Sequence, residues 1–241
     1  MQRRPITAVL FDAGFTVVDL VRPVVETYLG AARDVGAELD ASAFGLALKR
    51  HWARIEEDHR KKNPDLTSSE EFERTAWRNF TVGVASEFPA LHNRHGDWHG
   101  LLVKHFDDPS AWRPAPFALE TLQNLKANGI RMAVVSNWHS ALHSILDAHG
   151  VKSMFDFVLT SAEAGRKKPH REIFERALAQ LGAAAEDAAH VGDSWSDDVC
   201  GALDSGLTPI YLHRVEAPPP DDRRVRVVRN LSEVLTLVLG S

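Results

Sequence analysis

Four polar clusters, far apart in the 241-residue chain, each follow a short apolar run. Asp12 ends the run in VLFDAGF, and Ser136 with Asn137 ends the run in AVVSNW. Lys168 lies in GRKKPHREIF, and Asp193 opens the acidic stretch DSWSDD. A nucleophilic carboxylate, a hydroxyl beside an amide, an ammonium and further carboxylates are the groups that phosphoryl transfer to an aspartate requires, with a divalent metal to neutralise charge. This chemistry is possible only if the fold brings the clusters together.

The apolar runs that precede these clusters are typical of buried parallel strands. Helical patterns lie between them and end at glycines, as helix C-termini commonly do. The alternation predicts an α/β fold with a doubly wound parallel sheet, whose functional residues lie just beyond the carboxyl ends of its strands. The predicted strands are residues 6–11, 131–135, 155–159, 189–192 and 208–212.

Residues 20–110 interrupt this alternation with helical periodicities and no convincing strand. We predict a helical domain over 20–110, inserted into an α/β core domain formed by 1–19 and 111–241. Its aromatic residues either pack the core of the insert or form part of a lid over the site. They are Trp52, Trp77, Trp98, Phe72, Phe80 and Phe88.

Composition limits the classes of partner. The net charge of -5 and the scattered Lys and Arg residues argue against a nucleic-acid partner. No apolar run reaches the roughly 18 residues of a membrane span, and Asp12 interrupts the N-terminal run where a signal peptide would continue. Because Cys200 is the single cysteine, no intramolecular disulfide forms, and we expect a cytoplasmic protein. Its oligomeric state is not predicted.

The four clusters resemble the motifs of the haloacid dehalogenase-like (HAD) hydrolase superfamily, in the branch with a helical cap inserted after the first motif. They occur in order as FDAGFT, VVSN, KKPHREIF and VGDSWSDDVCGALDSG, and the resemblance covers nearly the whole chain. It implies a Rossmann-like core with an inserted helical cap domain. It also implies hydrolysis of a small phosphorylated substrate with Mg²⁺ as the cofactor.

The resemblance further implies a role for each motif residue. Asp12 is the nucleophile, and Thr16 supports the first motif and contributes to substrate binding. Ser136 and Asn137 hold the phosphoryl oxygens, and Lys168 steadies the nucleophile and the phosphate.

The implied Mg²⁺ ligands are Asp12, the backbone carbonyl of Gly14, Asp193 and Asp198, with Asp198 either ligating or orienting nearby. Asp197 competes with Asp198, which we prefer because the residues that follow it match the register of the family better. Taken singly, each cluster has a simpler explanation: a turn cap, a helix N-cap, a solvated lysine or an acidic helix N-terminus.

Gly14 departs from the pattern of the family phosphatases, most of which carry a second aspartate there to protonate the leaving oxygen. The next residue, usually glycine, is Phe15, whose ring could narrow the site. Loss of a general acid costs roughly 10² to 10⁴ in rate. An alkyl phosphate should suffer most and an aryl or acyl phosphate least. If position 14 alone limits turnover, Gly14→Asp should raise the rate on an alkyl phosphate.

Other functions share the missing acid. A 2-haloacid dehalogenase displaces halide without a proton or a metal, although the acidic group around Asp193 makes most sense with a cation. A phosphonatase needs a Schiff-base lysine from the cap, for which the candidates by location are Lys49, Lys61, Lys62 and Lys104. A binding protein with little turnover is the third alternative, favoured by Gly14 and Phe15.

Histidines and tryptophans leave further alternatives. His92, His95 and His99 in the insert, and His139 with His143, have spacings that could hold a transition metal. Because no cysteine or well-placed carboxylate accompanies them, we favour solvated or helix-end histidines. Trp138 and Trp195, each close behind a motif residue, either line the substrate mouth or pack in the core.

Overall fold

The structure is a computed structural model that describes residues 5–240. Its central feature is a six-stranded parallel sheet with the strand order β5-β4-β1-β6-β7-β8, and β2 and β3 form a separate antiparallel pair. The strands are β1 (Ala8–Phe11), β2 (Val18–Leu20), β3 (Trp112–Pro114), β4 (Arg131–Ser136), β5 (Phe157–Thr160), β6 (Ala188–Gly192), β7 (Thr208–Leu212) and β8 (Arg226–Val228).

Helices cover both faces of this sheet. In residues 5–240 the helices are α1 (Val24–Asp34), α2 (Ala41–Lys62), α3 (Glu70–Ser86), α4 (His95–Asp107), α5 (Ala118–Ala127), α6 (Ala141–Ala148), α7 (Ser161–Ala164), α8 (Arg171–Leu181), α9 (Cys200–Asp204) and α10 (Ser232–Leu239). None of the described helices combines the length and the apolar character needed to cross a lipid bilayer.

Side chains of β1 show why the sheet is buried on both faces. Val9 and Phe11 point into one apolar cluster, which α5, α6 and α10 complete, whereas Ala8 and Leu10 point into a second cluster, which α8 and α9 complete. This is the period of two that a strand imposes on its side chains. The doubly wound α/β sheet predicted from the sequence is therefore confirmed.

All five predicted strands are present, and their ends differ from the prediction by at most two residues. The pair β2 and β3 was not predicted, because each strand has only three residues, which is too short for a recognisable pattern. β8 adds an edge strand at a short apolar run in the C-terminal part of the chain.

The helical segment, residues 24–107, has an apolar cluster of its own. Trp98 and Phe44 are fully buried in it, and the Trp98 indole N–H donates to the carbonyl of Tyr28 at 3.2 Å. Trp52 instead lies 54% exposed against Phe80. Most of the aromatic residues therefore pack the segment itself. The domain boundaries at 20 and 110 stay a prediction.

Two histidines of α4 lie against α3. The hydroxyl oxygen of Thr81 is 3.2 Å from Nε2 of His95 and 3.0 Å from Nδ1 of His99, and the two imidazole rings stack. Burial lowers the pKa of both histidines, and the positive charge of Arg78 lowers it further. Both rings are therefore held in the neutral form.

We expect acidification to destabilise the helical segment, because a histidine with a lowered pKa binds a proton more readily in the unfolded chain. The contribution of such a neutral histidine to the stability of the helical segment is complete above the unfolded pKa of about 6.5. It is lost as the pH falls through the lower pKa of the folded state. His99→Gln should therefore reduce the fall in melting temperature between pH about 7.5 and about 5.5. The exposed His92 provides the control variant His92→Gln. An equal fall in His99→Gln and the unmodified protein would contradict the prediction.

Candidate active site

Asp12 follows β1 directly and is fixed by the neighbouring strand. Its backbone N–H donates to the carbonyl of Val191 in β6 at 2.8 Å. The chain then turns tightly, because the carbonyl of Ala13 accepts from the N–H groups of Val17 and Val18 at 2.8 and 3.0 Å. The carboxylate of Asp12 is thereby held at the carboxyl edge of the sheet, where the sequence predicts the site.

Lys168 joins two carboxylates from different strand ends. Its Nζ lies 2.7 Å from Oδ1 of Asp12 and 2.6 Å from Oδ1 of Asp198, and its side chain is only 2% exposed. Burial by itself would lower the pKa of Lys168, but the two carboxylates outweigh it and hold the pKa above its ordinary value. The hydroxyl of Ser136 also donates to Oδ1 of Asp12, at 2.9 Å. Lys168 is therefore a buried ammonium with two anionic partners.

Three carboxylates meet at this edge. Oxygen atoms of Asp12, Asp193 and Asp198 all lie within 4.8 Å of one another. Burial raises the pKa of Asp193 to about 8, and the negative charges of Asp12 and Asp198 contribute. With Asp12 and Asp198 ionised and Lys168 as the adjacent ammonium, the cluster carries an excess of negative charge whether or not Asp193 is protonated. Oxygen ligands and excess negative charge suit a hard divalent cation.

The structure places Asp198, rather than Asp197, in this group. Oδ1 of Asp198 also accepts from Nε2 of His190 at 2.8 Å, and Oδ2 accepts from the backbone N–H of Ser194 at 2.9 Å. Burial raises the pKa of Asp198, but Lys168 and His190 outweigh it, so the net pKa is lowered. Asp198 is thus ionised and firmly oriented.

His190 is a site residue that sequence reasoning missed. It is 1% exposed in β6, and burial lowers its pKa. The available signal was a histidine inside the otherwise apolar run AAHVG, where a polar side chain requires a buried partner.

The side-chain amide of Asn137 forms two hydrogen bonds with the backbone of Lys168. Its Oδ1 accepts from the Lys168 N–H at 2.7 Å, and its Nδ2 donates to the Lys168 carbonyl at 3.1 Å. Nδ2 also lies 3.3 Å from Oδ2 of Asp197. The hydroxyl of Thr16, in contrast, is buried without a hydrogen-bond partner among the described residues. Substrate contacts of Thr16, Ser136, Asn137 and Lys168 stay predictions.

The turn after Asp12 contains the two positions that depart from the family pattern, Gly14 and Phe15. Phe15 has φ of 57°, in the left-handed region that favours glycine, and its ring is 40% exposed beside Trp112. Gly14 lies against Trp138, since a Cβ added at Gly14 would be 3.0 Å from the indole. The carbonyl of Gly14 as a metal ligand stays a prediction.

The two tryptophans behind the motifs are both partly buried. Trp138 packs on Trp112 with ring centroids 4.9 Å apart, and Trp195 packs on Tyr211 at 5.4 Å. Both therefore have packing partners in the core domain.

The histidine spacings do not produce a second metal group within residues 5–240. Nε2 of His139 is 3.4 Å from Asp107, and Nε2 of His143 is 2.9 Å from Glu163, so these two histidines face different carboxylates.

Comparisons with known proteins agree with this geometry. A sequence model of the haloacid dehalogenase-like hydrolases matches residues 6–206. Haloacid dehalogenase-like hydrolase domain-containing protein 3 of Bos taurus is 31% identical over 218 residues, covering 90% of this chain and 84% of that protein. A glyceraldehyde 3-phosphate phosphatase of Methanothermobacter thermautotrophicus is 32% identical over 120 residues, covering 47% of this chain and 51% of that protein.

The fold also recurs in solved structures. An L-2-haloacid dehalogenase superposes with a TM-score of 0.76 at 19% identity, covering 98% of this chain and 99% of that chain. At this identity the likeness concerns the fold alone. The family model spans most of the sequence, and the bovine relative spans most of both chains. This chain therefore belongs to the haloacid dehalogenase-like hydrolases.

Proposed function

We propose that the protein is a Mg²⁺-dependent phosphatase that acts on a small phosphorylated metabolite through an aspartyl-phosphate intermediate. The observation that carries the proposal is the buried group of three carboxylates around Lys168. Asp12, Asp193 and Asp198 would hold the cation, with the carbonyl of Gly14 as a further ligand. When bound, Mg²⁺ neutralises negative charge and polarises the phosphoryl oxygens. The phosphatase relative supports this reaction class.

The hydrogen bonds of Asp12 select its reacting oxygen. Oδ1 accepts from both Lys168 and Ser136, which leaves Oδ2 as the nucleophile. Attack by Oδ2 forms an O–P bond while the bond from phosphorus to the leaving oxygen breaks. The departing oxide takes a proton from solvent. Water then attacks the phosphorus, the bond to Asp12 breaks, and inorganic phosphate leaves carrying the two protons of that water. Lys168 retains its proton because its pKa is held high, so it acts as a fixed positive charge.

Gly14 determines which leaving groups suit this site. Without a side chain at position 14, no acid there protonates the departing oxygen, a loss of roughly 10² to 10⁴ in rate or about 3 to 5 kcal/mol of barrier. A weakly basic leaving group, such as an aryl oxide or a carboxylate, departs without that proton. We therefore propose a slow or leaving-group-selective phosphatase.

A 2-haloacid dehalogenase is the second candidate, favoured by Gly14 because halide leaves without a proton. Three carboxylates with one ammonium would oppose an anionic haloacid in the absence of a cation. A phosphonatase has less support. Of its candidate lysines, Lys61 and Lys62 pair with Glu57 and Asp58 on their own helix.

Asp12→Asn should lower Mg²⁺-dependent phosphate release from an aryl phosphate by at least about 10³-fold, because the amide is a poor nucleophile. Removing the cation with EDTA should have a comparable effect on the unmodified protein. Release of phosphate is measured at steady state. Asp147→Asn, on an exposed position of α6, is the matched control and should retain activity. Unchanged activity in Asp12→Asn would exclude Asp12 as the nucleophile, and halide release from a 2-haloacid would instead support the dehalogenase.

The unmodified protein should hydrolyse phenyl phosphate faster than ethyl phosphate, with kcat/KM differing by at least about 10²-fold, since only the alkoxide needs the missing proton. The measurement is kcat/KM for both esters at saturating Mg²⁺, because the later hydrolysis of the aspartyl phosphate is common to both esters and enters kcat. Equal values would show that protonation of the leaving group does not limit this site.

Gly192→Ala should displace Asp198 without removing a charge. A Cβ at Gly192 would overlap the Asp198 carboxylate, whereas one at Gly96 in α4 would meet no atom within 4 Å. We expect Gly192→Ala to lose activity and to destabilise the fold by about 1 to 3 kcal/mol through overpacking. The matched control Gly96→Ala should keep activity and gain up to about 1 kcal/mol of helix stability. Equal behaviour of the two variants in denaturant unfolding and phosphate release would contradict the assignment of Asp198.

A further inference from the structure

We propose that Trp138 determines leaving-group specificity at this site: its indole takes the space of a side chain at position 14 and selects phosphate monoesters with an apolar aryl leaving group. The inference rests on the proposed phosphatase function and assigns its substrate class. It concerns the space beside Asp12 in which most family phosphatases place the aspartate that protonates the leaving oxygen.

The first observation is the contact between Trp138 and Gly14. A Cβ built on Gly14 would lie 3.0 Å from Cζ3 of Trp138 and 3.8 Å from two further carbons of the same ring. A side chain at position 14 would therefore begin in close contact with the indole. The Trp138 ring therefore fills space that an acidic side chain at position 14 would need, two residues from the proposed nucleophile Asp12.

The second observation is that Trp138 is held at both its backbone and its ring. The backbone N–H of Trp138 donates to Oγ of Ser161 at 3.1 Å, and the Ser161 hydroxyl donates to Oε1 of Glu73 in α3 at 2.7 Å. The ring packs edge-on against Trp112, whose indole N–H is bonded to the carbonyl of Phe106 at 3.0 Å. Contacts with both the core and the helical segment therefore hold Trp138 against Gly14.

The third observation is the chemistry of the neighbouring surface. The ring of Phe15 lies beside Trp112 with centroids 6.2 Å apart and is 40% exposed, so the rings of Phe15, Trp112 and Trp138 form a continuous aromatic group beside the nucleophile loop. Trp112 is only 3% exposed, so a ligand would meet Phe15 and the partly exposed Trp138, which offer aromatic packing and no proton donor of the required acidity. An aryl oxide, which is weakly basic and apolar, matches both properties.

This arrangement alters the expected effect of restoring the acid. In Gly14→Asp the new Cβ would lie 3.0 Å from the indole, closer than ordinary van der Waals contact, so we expect the indole to oppose placement of the carboxyl group beside the leaving oxygen. The acid should therefore act only when Trp138 is made smaller as well. The two positions should be strongly non-additive, as expected for groups that compete for one volume.

The test is a double-substitution cycle with Gly14→Asp, Trp138→Ala and the combined variant. For each protein, kcat and KM are measured on phenyl phosphate and ethyl phosphate with Mg²⁺. Trp138→Ala should lower the phenyl-to-ethyl ratio of kcat/KM by about threefold to tenfold, mainly through KM for the aryl ester. Gly14→Asp alone should not raise kcat on ethyl phosphate, whereas the combined variant should raise it at least about tenfold over Trp138→Ala.

Controls separate specificity from folding. Trp52→Ala removes a tryptophan that is 54% exposed on α2 and should leave the phenyl-to-ethyl ratio unchanged. Trp138→Phe keeps an aromatic ring but shortens it, and should give an intermediate ratio even if Trp138→Ala melts too low to assay.

The proposal is overturned if Gly14→Asp alone raises ethyl phosphate turnover as much as the combined variant. It is also overturned if neither substitution of Trp138 changes the ratio. Failure of the phosphatase function itself is recognised separately, because the unmodified protein would then release no Mg²⁺-dependent phosphate from either ester, or the release would persist in Asp12→Asn.

Discussion

The buried ammonium of Lys168 is the constraint on which the site depends. An ammonium removed from water is costly unless it is paired, and here it contacts Asp12 at 2.7 Å and Asp198 at 2.6 Å. These carboxylates follow β1 and β6, and the lysine precedes α8, so the pairing is complete only when the central strands are in register. The same contacts orient Asp12, the proposed nucleophile, and leave the excess negative charge that suits a divalent cation. The register of the central strands therefore also brings the groups of the candidate site together.

Much of the remaining polar machinery supports those side chains. Asn137 is bonded to the backbone of Lys168 on both sides of its amide, and His190 with the Ser194 backbone fixes Asp198. Gly192 leaves room for the Asp198 carboxylate. A carboxylate with defined donors on each oxygen has little freedom to rotate, which favours a preorganised site over one that must rearrange on binding.

The sequence predicts the sheet and the first motif residues well, because short apolar runs that end in a polar residue indicate buried parallel strands and their functional edge. It does not predict β2 and β3, whose three residues each are too few for a pattern, or α4, whose histidines and glycines weaken its helical signal. The roles of His190 and Trp138 depend on contacts with Asp198 and Gly14. The contact between Gly14 and Trp138 joins residues far apart in the chain, so no local pattern encodes it.

The conformation of Phe15 suggests why the site differs at two adjacent positions together. A bulky residue with φ of 57° is strained, by roughly 1 to 2 kcal/mol, and persists only where its surroundings compensate. Here the compensation is packing of its ring beside Trp112, which also holds Trp138 over Gly14. Where most family phosphatases have an aspartate followed by a glycine, this chain has Gly14 and Phe15. The turn beside Asp12 therefore carries an aromatic ring and no carboxyl group. A glycine at position 15 would adopt this φ without strain, so the strained residue gives the turn beside Asp12 an aromatic ring and not a more stable backbone.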